Sequence, residues 1–168
     1  MGDTDTRILV AVEGDQVWFQ ITGRATFTRA NDFRVATETL ANRGCHRFTV
    51  DLSGCVSLDS TFIGVLAGLA RRLRRVPEGR VALGGLSERL AHQIGSLGIL
   101  PMFAQVAPGE PSGPLQTVAP VKADSATMAR VALEAHQTLM AENPENVARF
   151  QDVADMFAAE LKQLGGGT

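Results

Sequence analysis

Three consecutive polar residues, Asp59, Ser60 and Thr61, stand directly in front of an apolar run in the segment SLDSTFIGVL, Ser57 to Leu66. The apolar run predicts a helix, so the polar residues lie at a helix start, where unpaired backbone N–H groups and the helix dipole favour anions. Asp59 or Ser60 could simply cap this helix, which contributes about 1 kcal/mol. A hydroxyl at this place could equally carry a phosphate, because donors for the phosphate oxygens are already present. Local chemistry leaves both interpretations open.

The basic and histidine side chains have ordinary structural explanations. The arginines 71, 72, 74 and 75 close the same predicted helix, where cations complement the negative helix end, although they could also form a local patch for an anion or a partner. His46 and His92 could be imagined as metal ligands or as a base for Ser60, but no G-x-S-x-G turn or paired-ligand spacing supports either role. His136 lies on an amphipathic helix, so we expect a partly buried, hydrogen-bonded imidazole.

The two cysteines and the bulk composition exclude several classes of protein. Cys45 and Cys55 are too few for a disulfide scaffold and have no C-x-x-C spacing, so we expect reduced thiols and no metal. Hydrophobic residues make up 45% of the 168 residues and charged residues 20%, as in a folded globular protein. The net charge of −2 provides no broad positive field, so we expect no direct binding of nucleic acid.

No segment of the sequence predicts membrane insertion or export. The uncharged apolar stretch Ser60 to Ala70 is well short of the roughly 18 apolar residues that a membrane helix requires. The N-terminal segment MGDTDTRILVAV has acidic residues where a signal peptide has basic ones. We therefore expect a cytoplasmic protein.

Short apolar segments alternate with helical patterns along the first hundred residues, which predicts an α/β fold. A hairpin followed by strand-helix-strand units requires a mixed sheet with helices packed against it. The segment Ser53–Asp59 is predicted to be a loop. The expected strands are 8–12, 17–22, 48–52, 80–85 and 102–106, and the expected helices are 30–42, 62–75 and 87–97.

A cluster of prolines and glycines divides the chain. We expect a core domain over residues 1–107, a Pro/Gly-rich linker over 108–122 and a helical extension over 123–168. The extension contains two predicted helices, each with one apolar stripe. The second stripe must be buried, either by folding back on the domain or by pairing with a second chain as a homodimer.

The longer segment VDLSGCVSLDSTFIGVLAGL, Val50 to Leu69, resembles the signature of STAS domains, the family of bacterial anti-sigma-factor antagonists. The flanking segments ITGRATFTRANDF and VALGGLSERLAHQIGSLGILPMF also resemble the family, so the likeness extends over about Ile8 to Val106. The resemblance implies a STAS-like mixed sheet of four to five strands with packed helices in residues 1–107, followed here by a C-terminal helical pair. One departure is Phe62, which stands where partner-switching members commonly have glycine.

The resemblance also implies a function. It makes Ser60 the residue phosphorylated by a partner serine kinase, with Asp59 shaping the recognised loop and Thr61 as a weaker candidate. The surface that contacts the partner would comprise Asp59, Ser60, Thr61, Phe62 and Ser57, with the Phe62 ring altering it. The chain would then be a regulator of transcription and signal transduction by partner switching: a phosphoprotein without catalytic activity or cofactor, which binds an anti-sigma factor or serine kinase and is dephosphorylated by a phosphatase.

Two other functions stay open for a STAS domain of this sequence. The chain could be an accessory subunit of a lipid-trafficking ABC transporter, which Phe62 and the arginines would fit. It could also be a small-ligand-sensing or scaffold module, although no ligand pocket can be read from the sequence.

Overall fold

A mixed sheet of seven strands forms the base of the structure, which is a computed structural model that describes residues 6–165. The strand order is β6-β5-β3-β2-β1-β7, and β4 pairs with the far end of β2. β1 is antiparallel to β2 and to β7, and the other pairs are parallel. The predicted α/β class with a mixed sheet is confirmed. The strands are β1 (Arg7–Glu13), β2 (Gln16–Ala25), β3 (Arg47–Asp51), β4 (Cys55–Leu58), β5 (Arg80–Gly84), β6 (Ala104–Val106) and β7 (Gln116–Thr117).

Two of these strands exceed the four to five that the sequence predicts. β4 occupies most of the expected loop Ser53–Asp59, and it pairs with β2 only beyond a register shift between Gly23 and Arg24. β7 has two residues and lies inside the Pro/Gly-rich segment. Strands this short show no alternation of apolar and polar residues, so periodicity could not reveal them.

The helices found within residues 6–165 pack in layers, starting from the sheet. α1 and α2 contact the sheet, α4 packs across α1 and α2, and α5 packs on α4. The core between sheet and helices contains Phe19 and Phe33, whose ring centroids are 4.9 Å apart, and Phe62, 5.1 Å from Phe33. The helices are α1 (Phe27–Asn42), α2 (Ser60–Leu73), α3 (Glu88–Ser96), α4 (Ser125–Glu142) and α5 (Asn146–Leu164), with a 3₁₀ turn at Leu100–Met102.

The Pro/Gly-rich segment 108–122 is attached to the domain at several points. Besides the pairing of β7 with β1, the Val118 amide donates to the Ile8 carbonyl at 2.8 Å. The Val121 amide donates to the carboxylate of Asp32 at 2.7 Å. These bonds hold the segment along the edge strand β1 and beside α1. The helix that follows, α4, therefore begins close to α1 and α2.

The C-terminal helices dock on the same chain. The predicted stripe of α4 is buried at Val131, Ala135 and Leu139. The α5 stripe faces α4, with Ala154 buried and Phe150 partly buried against the core. Part of the α5 stripe is therefore covered within one chain, whereas Val147 at its start is exposed.

The contact between α2 and α4 is closest at Gly64. A Cβ atom on Gly64 would lie 2.5 Å from the carbonyl oxygen of Ala135 and 2.6 Å from its Cβ. Gly68, on the next turn of α2, has open space where its Cβ would be. Glycine at position 64 thus permits a helix approach that any side chain would prevent.

We predict that Gly64→Ala and Gly68→Ala change stability in opposite directions. Gly64→Ala should lower the free energy of unfolding by about 1–3 kcal/mol, because the methyl group overpacks the α2–α4 contact. Gly68→Ala should raise it by up to about 1 kcal/mol, because alanine is the better helix former. Urea denaturation of both variants measures the difference, and equal effects would contradict the close contact.

Candidate functional site

Asp59 joins the starts of two helices to the end of a strand. As the N-cap of α2, its Oδ1 accepts the Phe62 amide at 2.8 Å, while its Oδ2 accepts the amide of Phe27, the first residue of α1, at 2.7 Å. Its own amide donates to the Ala25 carbonyl at the end of β2. Both oxygens of the carboxylate therefore satisfy N–H groups that helix starts leave unpaired. These three bonds fix the positions of Asp59 and of the two helix starts relative to β2.

Ser60 is the first residue of α2, and its side chain meets a residue far away in the sequence. Its Oγ lies 2.8 Å from Nε2 of His136 in α4. The Nδ1 atom of the same ring lies 2.6 Å from the carbonyl oxygen of Ala132. Since a carbonyl oxygen only accepts, Nδ1 carries a proton, and the Nε2 of the neutral ring is an acceptor. The Ser60 hydroxyl then donates to His136.

His136 is enclosed by aromatic side chains from α5. Its ring is only 3% exposed, and its centroid lies 5.1 Å from that of Phe150 and 6.1 Å from that of Phe157. The sequence predicted a partly buried, hydrogen-bonded histidine here; the hydrogen bonds are confirmed, and the burial is more complete than predicted. It did not predict Ser60 as the bonding partner, because no local pattern relates residues on separate helices. The available signal was that His136 follows Ala135 on the buried stripe of α4.

The other residues predicted to form the partner surface differ in how far they are exposed to solvent. Ser57 in β4 and Ser60 are partly exposed, whereas Thr61 is 6% exposed. The Phe62 ring is fully buried and packs on Phe33. The expectation that this ring alters the exposed surface is wrong, because Phe62 lies on the face of α2 that packs on the core.

Three of the four arginines near the end of α2 have side-chain contacts within the chain. Arg71 and Arg74 face the carboxylate of Glu142 in α4, at 3.7 and 3.0 Å. Arg72 donates to the side-chain oxygen of Asn42 in α1 at 2.6 Å. These contacts link the helix ends, which supports the structural explanation of the arginines over an anion patch.

Two groups near the helix layer have a shifted pKa with a clear cause. Burial raises the pKa of the Cys55 thiol in β4, although hydrogen bonds with the backbone of Ser57 and Ala25 oppose the shift. Hydrogen bonding from the Thr127 amide lowers the pKa of Asp124, the N-cap of α4. Cys55 is therefore held as a thiol and Asp124 as a carboxylate at neutral pH.

The part of the chain that the structure describes offers no cluster of three or more histidine, cysteine, aspartate or glutamate side chains suited to a metal ion. Over residues 6–165, none of the helices is long and apolar enough to cross a membrane.

A family model described as "Mlab, STAS domain" matches residues 8–99, more than half of the chain. The chain belongs to the STAS domain family. The resemblance found in the sequence is thereby confirmed, and the matched STAS residues include the Asp59-Ser60-Thr61 segment and all of α2. No curated protein matches the chain.

Solved structures show the same STAS fold. The anti-sigma factor antagonist SpoIIAA in its unphosphorylated form is 18% identical, with a TM-score of 0.55 over 61% of this chain and 89% of that chain. The Bacillus cell fate determinant SpoIIAA in the phosphorylated form is 20% identical, with a TM-score of 0.53 over 62% and 92%. The protein TM1081 is 17% identical, with a TM-score of 0.52 over 58% and 78%. At these identities the likeness concerns the fold.

We predict that Asp59→Ala destabilises the STAS protein more than loss of an ordinary helix cap. The variant removes acceptors for two backbone amides, so the free energy of unfolding should fall by about 2–3 kcal/mol, as for a cap plus a second charged hydrogen bond. Urea denaturation provides the measurement. Asp124→Ala is the matched control, because Asp124 caps α4 through one bonded amide, and its loss should be smaller. Equal losses would show that the bond to Phe27 contributes nothing.

Proposed function

We propose that this STAS protein is a partner-switching regulator of an anti-sigma factor or a related serine kinase, and that Ser60 is its phosphorylated residue. The observation that carries this proposal is the position of Ser60: a partly exposed residue at the first position of α2, beside a loop that Asp59 holds in one conformation. A fixed loop presents its hydroxyl to a kinase at little entropic cost. Thr61 is the weaker candidate because its side chain is buried.

Phosphorylation at Ser60 would act on the partner rather than on the fold. A phosphate carries about −1.5 to −2 charge near neutral pH. At a helix start this charge is favourable, so the helix need not unfold. In a protein interface, however, the phosphate would be bulky and would bury an unmatched charge. We therefore infer that the unphosphorylated form binds the partner and that a phosphatase restores it.

The fold similarity supports the proposed type of function, but it does not identify the binding partners. SpoIIAA is an anti-sigma factor antagonist with structures in unphosphorylated and phosphorylated forms, and this chain shares its fold. The proposed role requires no catalytic activity or cofactor of the STAS domain, since the kinase supplies the phosphoryl group.

The accessory subunit of a lipid-trafficking ABC transporter is the second candidate. The matching family model is described as Mlab, not as an anti-sigma antagonist, which gives a reason to test both functions together. The features that favoured this candidate in the sequence are weaker in the structure. Phe62 lies in the core, and Arg71 and Arg74 pair with Glu142.

We predict that full-length protein purified from its own cells with its binding partners carries phosphate on Ser60. Intact-mass measurement and peptide mapping of the bait report the modification, while the captured proteins report the partner. An anti-sigma factor or serine kinase is expected, and Ser60→Asp should weaken its capture. An ABC ATPase captured with an unmodified bait would favour the second candidate.

Two matched variants assign the site in this experiment. Ser60→Ala should abolish the modification, whereas Thr61→Val should leave it unchanged, because Thr61 is buried in the first turn of α2. Phosphate that persists in the Ser60→Ala protein would contradict the assignment.

A further inference from the structure

The hydrogen bond between Ser60 and His136 has the arrangement of a nucleophile with its base. Nucleophilic hydroxyls are activated when a neutral imidazole accepts their proton and a third group holds the imidazole in the required tautomer. Here Nε2 of His136 lies 2.8 Å from the Ser60 Oγ, within the reach that general base catalysis requires. The Ala132 carbonyl is the third group, at 2.6 Å from Nδ1.

The imidazole is fixed in this orientation by its surroundings. Phe150 and Phe157 cover the ring and leave it 3% exposed, which restricts the access of water to Nε2. The helix that carries His136 cannot shift toward or away from α2 without disturbing the close contact of Ala135 with Gly64. Ser60, in contrast, is partly exposed, so a phosphoryl donor could approach its oxygen.

We propose that His136 is the general base for phosphorylation of Ser60, contributed by the substrate protein itself. This inference rests on the proposed function of Ser60. A kinase would supply a nucleoside triphosphate. The bond between Ser60 Oγ and the γ-phosphorus forms, the bond from that phosphorus to the β–γ bridging oxygen breaks, and the nucleoside diphosphate leaves. The hydroxyl proton moves to Nε2 of His136.

The product of this step is also stabilised by the site. His136 becomes an imidazolium whose Nε2–H can donate to a phosphate oxygen, a charge-assisted hydrogen bond. The hydrogen bond from Nδ1–H to the Ala132 carbonyl is unchanged, so the imidazole ring does not have to flip. The facing rings of Phe150 and Phe157 favour a cation more than an aliphatic surface would.

The test measures the reactivity of Ser60 with a small fluorophosphonate, which needs no kinase. In this reaction the Oγ–phosphorus bond forms, the phosphorus–fluorine bond breaks and fluoride leaves, while the proton again moves to His136. Full-length protein should be labelled at Ser60, as peptide mass mapping would show. His136→Gln should slow labelling on the order of 10²-fold, the lower end of general base catalysis, because an amide can accept the hydrogen bond but not the proton. His92→Gln, at an exposed histidine, should match the wild type.

Two further variants separate a base from a merely structural residue. Phe150→Ala loosens the cover of His136 but keeps the imidazole, so it should slow labelling less than His136→Gln does. In His136→Ala, added imidazole should restore labelling, whereas pyrrole, which is similar in size but lacks a basic nitrogen, should not. Slow labelling of Phe150→Ala equal to that of His136→Gln, or equal rescue by pyrrole, would overturn the inference.

The inference and the proposed function can fail separately. An unlabelled Ser60 in the wild type, or equal labelling of wild type and His136→Gln, would overturn the role of His136 even if Ser60 is phosphorylated in cells. Labelling that depends on His136, with no phosphate on Ser60 in cells, would instead refute the proposed function.

Discussion

The close approach of α2 and α4 at Gly64 is the constraint on which the site depends. Ser60 lies one turn before Gly64, and His136 directly follows Ala135, so the glycine–alanine contact sets both the separation and the register of the two polar side chains. A larger residue at position 64 would hold the helices apart and move the imidazole out of reach of the hydroxyl. The hydrogen bond between Ser60 and His136 therefore depends on the packing of Gly64, which has no side chain, against Ala135.

The loop before Ser60 depends on a second shared element, the carboxylate of Asp59. Because its two oxygens bond amides from α1 and α2, the two helices begin at fixed positions relative to each other. Its amide adds β2 to the same junction. The surface around Ser60 is thus determined by α1, α2 and β2 of the STAS core. The Ser60 hydroxyl itself is bonded on its buried side to His136 of α4.

Local patterns in the sequence were sufficient for most of the STAS core. The alternation of Phe48, Val50 and the residues between them predicted β3, and the spacing of Val65, Leu66 and Leu69 predicted the buried face of α2. The polar residues before α2 indicated a cap, and Asp59 is that cap. These features follow from periodicity and helix-end chemistry, which act between near neighbours.

The features that escaped prediction all depend on distant contacts. β7 exists because Gln116 and Thr117 meet the edge of β1, and nothing in their own types indicates a strand. Phe62 follows the polar residues Asp59, Ser60 and Thr61 and was expected to alter the partner surface, yet the turn of the helix directs its ring inward to Phe33. His136 was predicted to be partly buried and hydrogen-bonded, but its partner Ser60 could be found only once α4 was placed against α2.

The sequence separation of 76 between Ser60 and His136 affects the order in which the protein folds during synthesis. Most of the core residues lie between Ile8 and Phe103 and are synthesised before α4, so this part of the STAS core can begin to collapse first. α4 emerges later, and closing so long a segment adds an entropic cost that delays its docking. During synthesis Ser60 is therefore exposed without its imidazole, and its reactivity develops only when the last helices fold onto the finished domain.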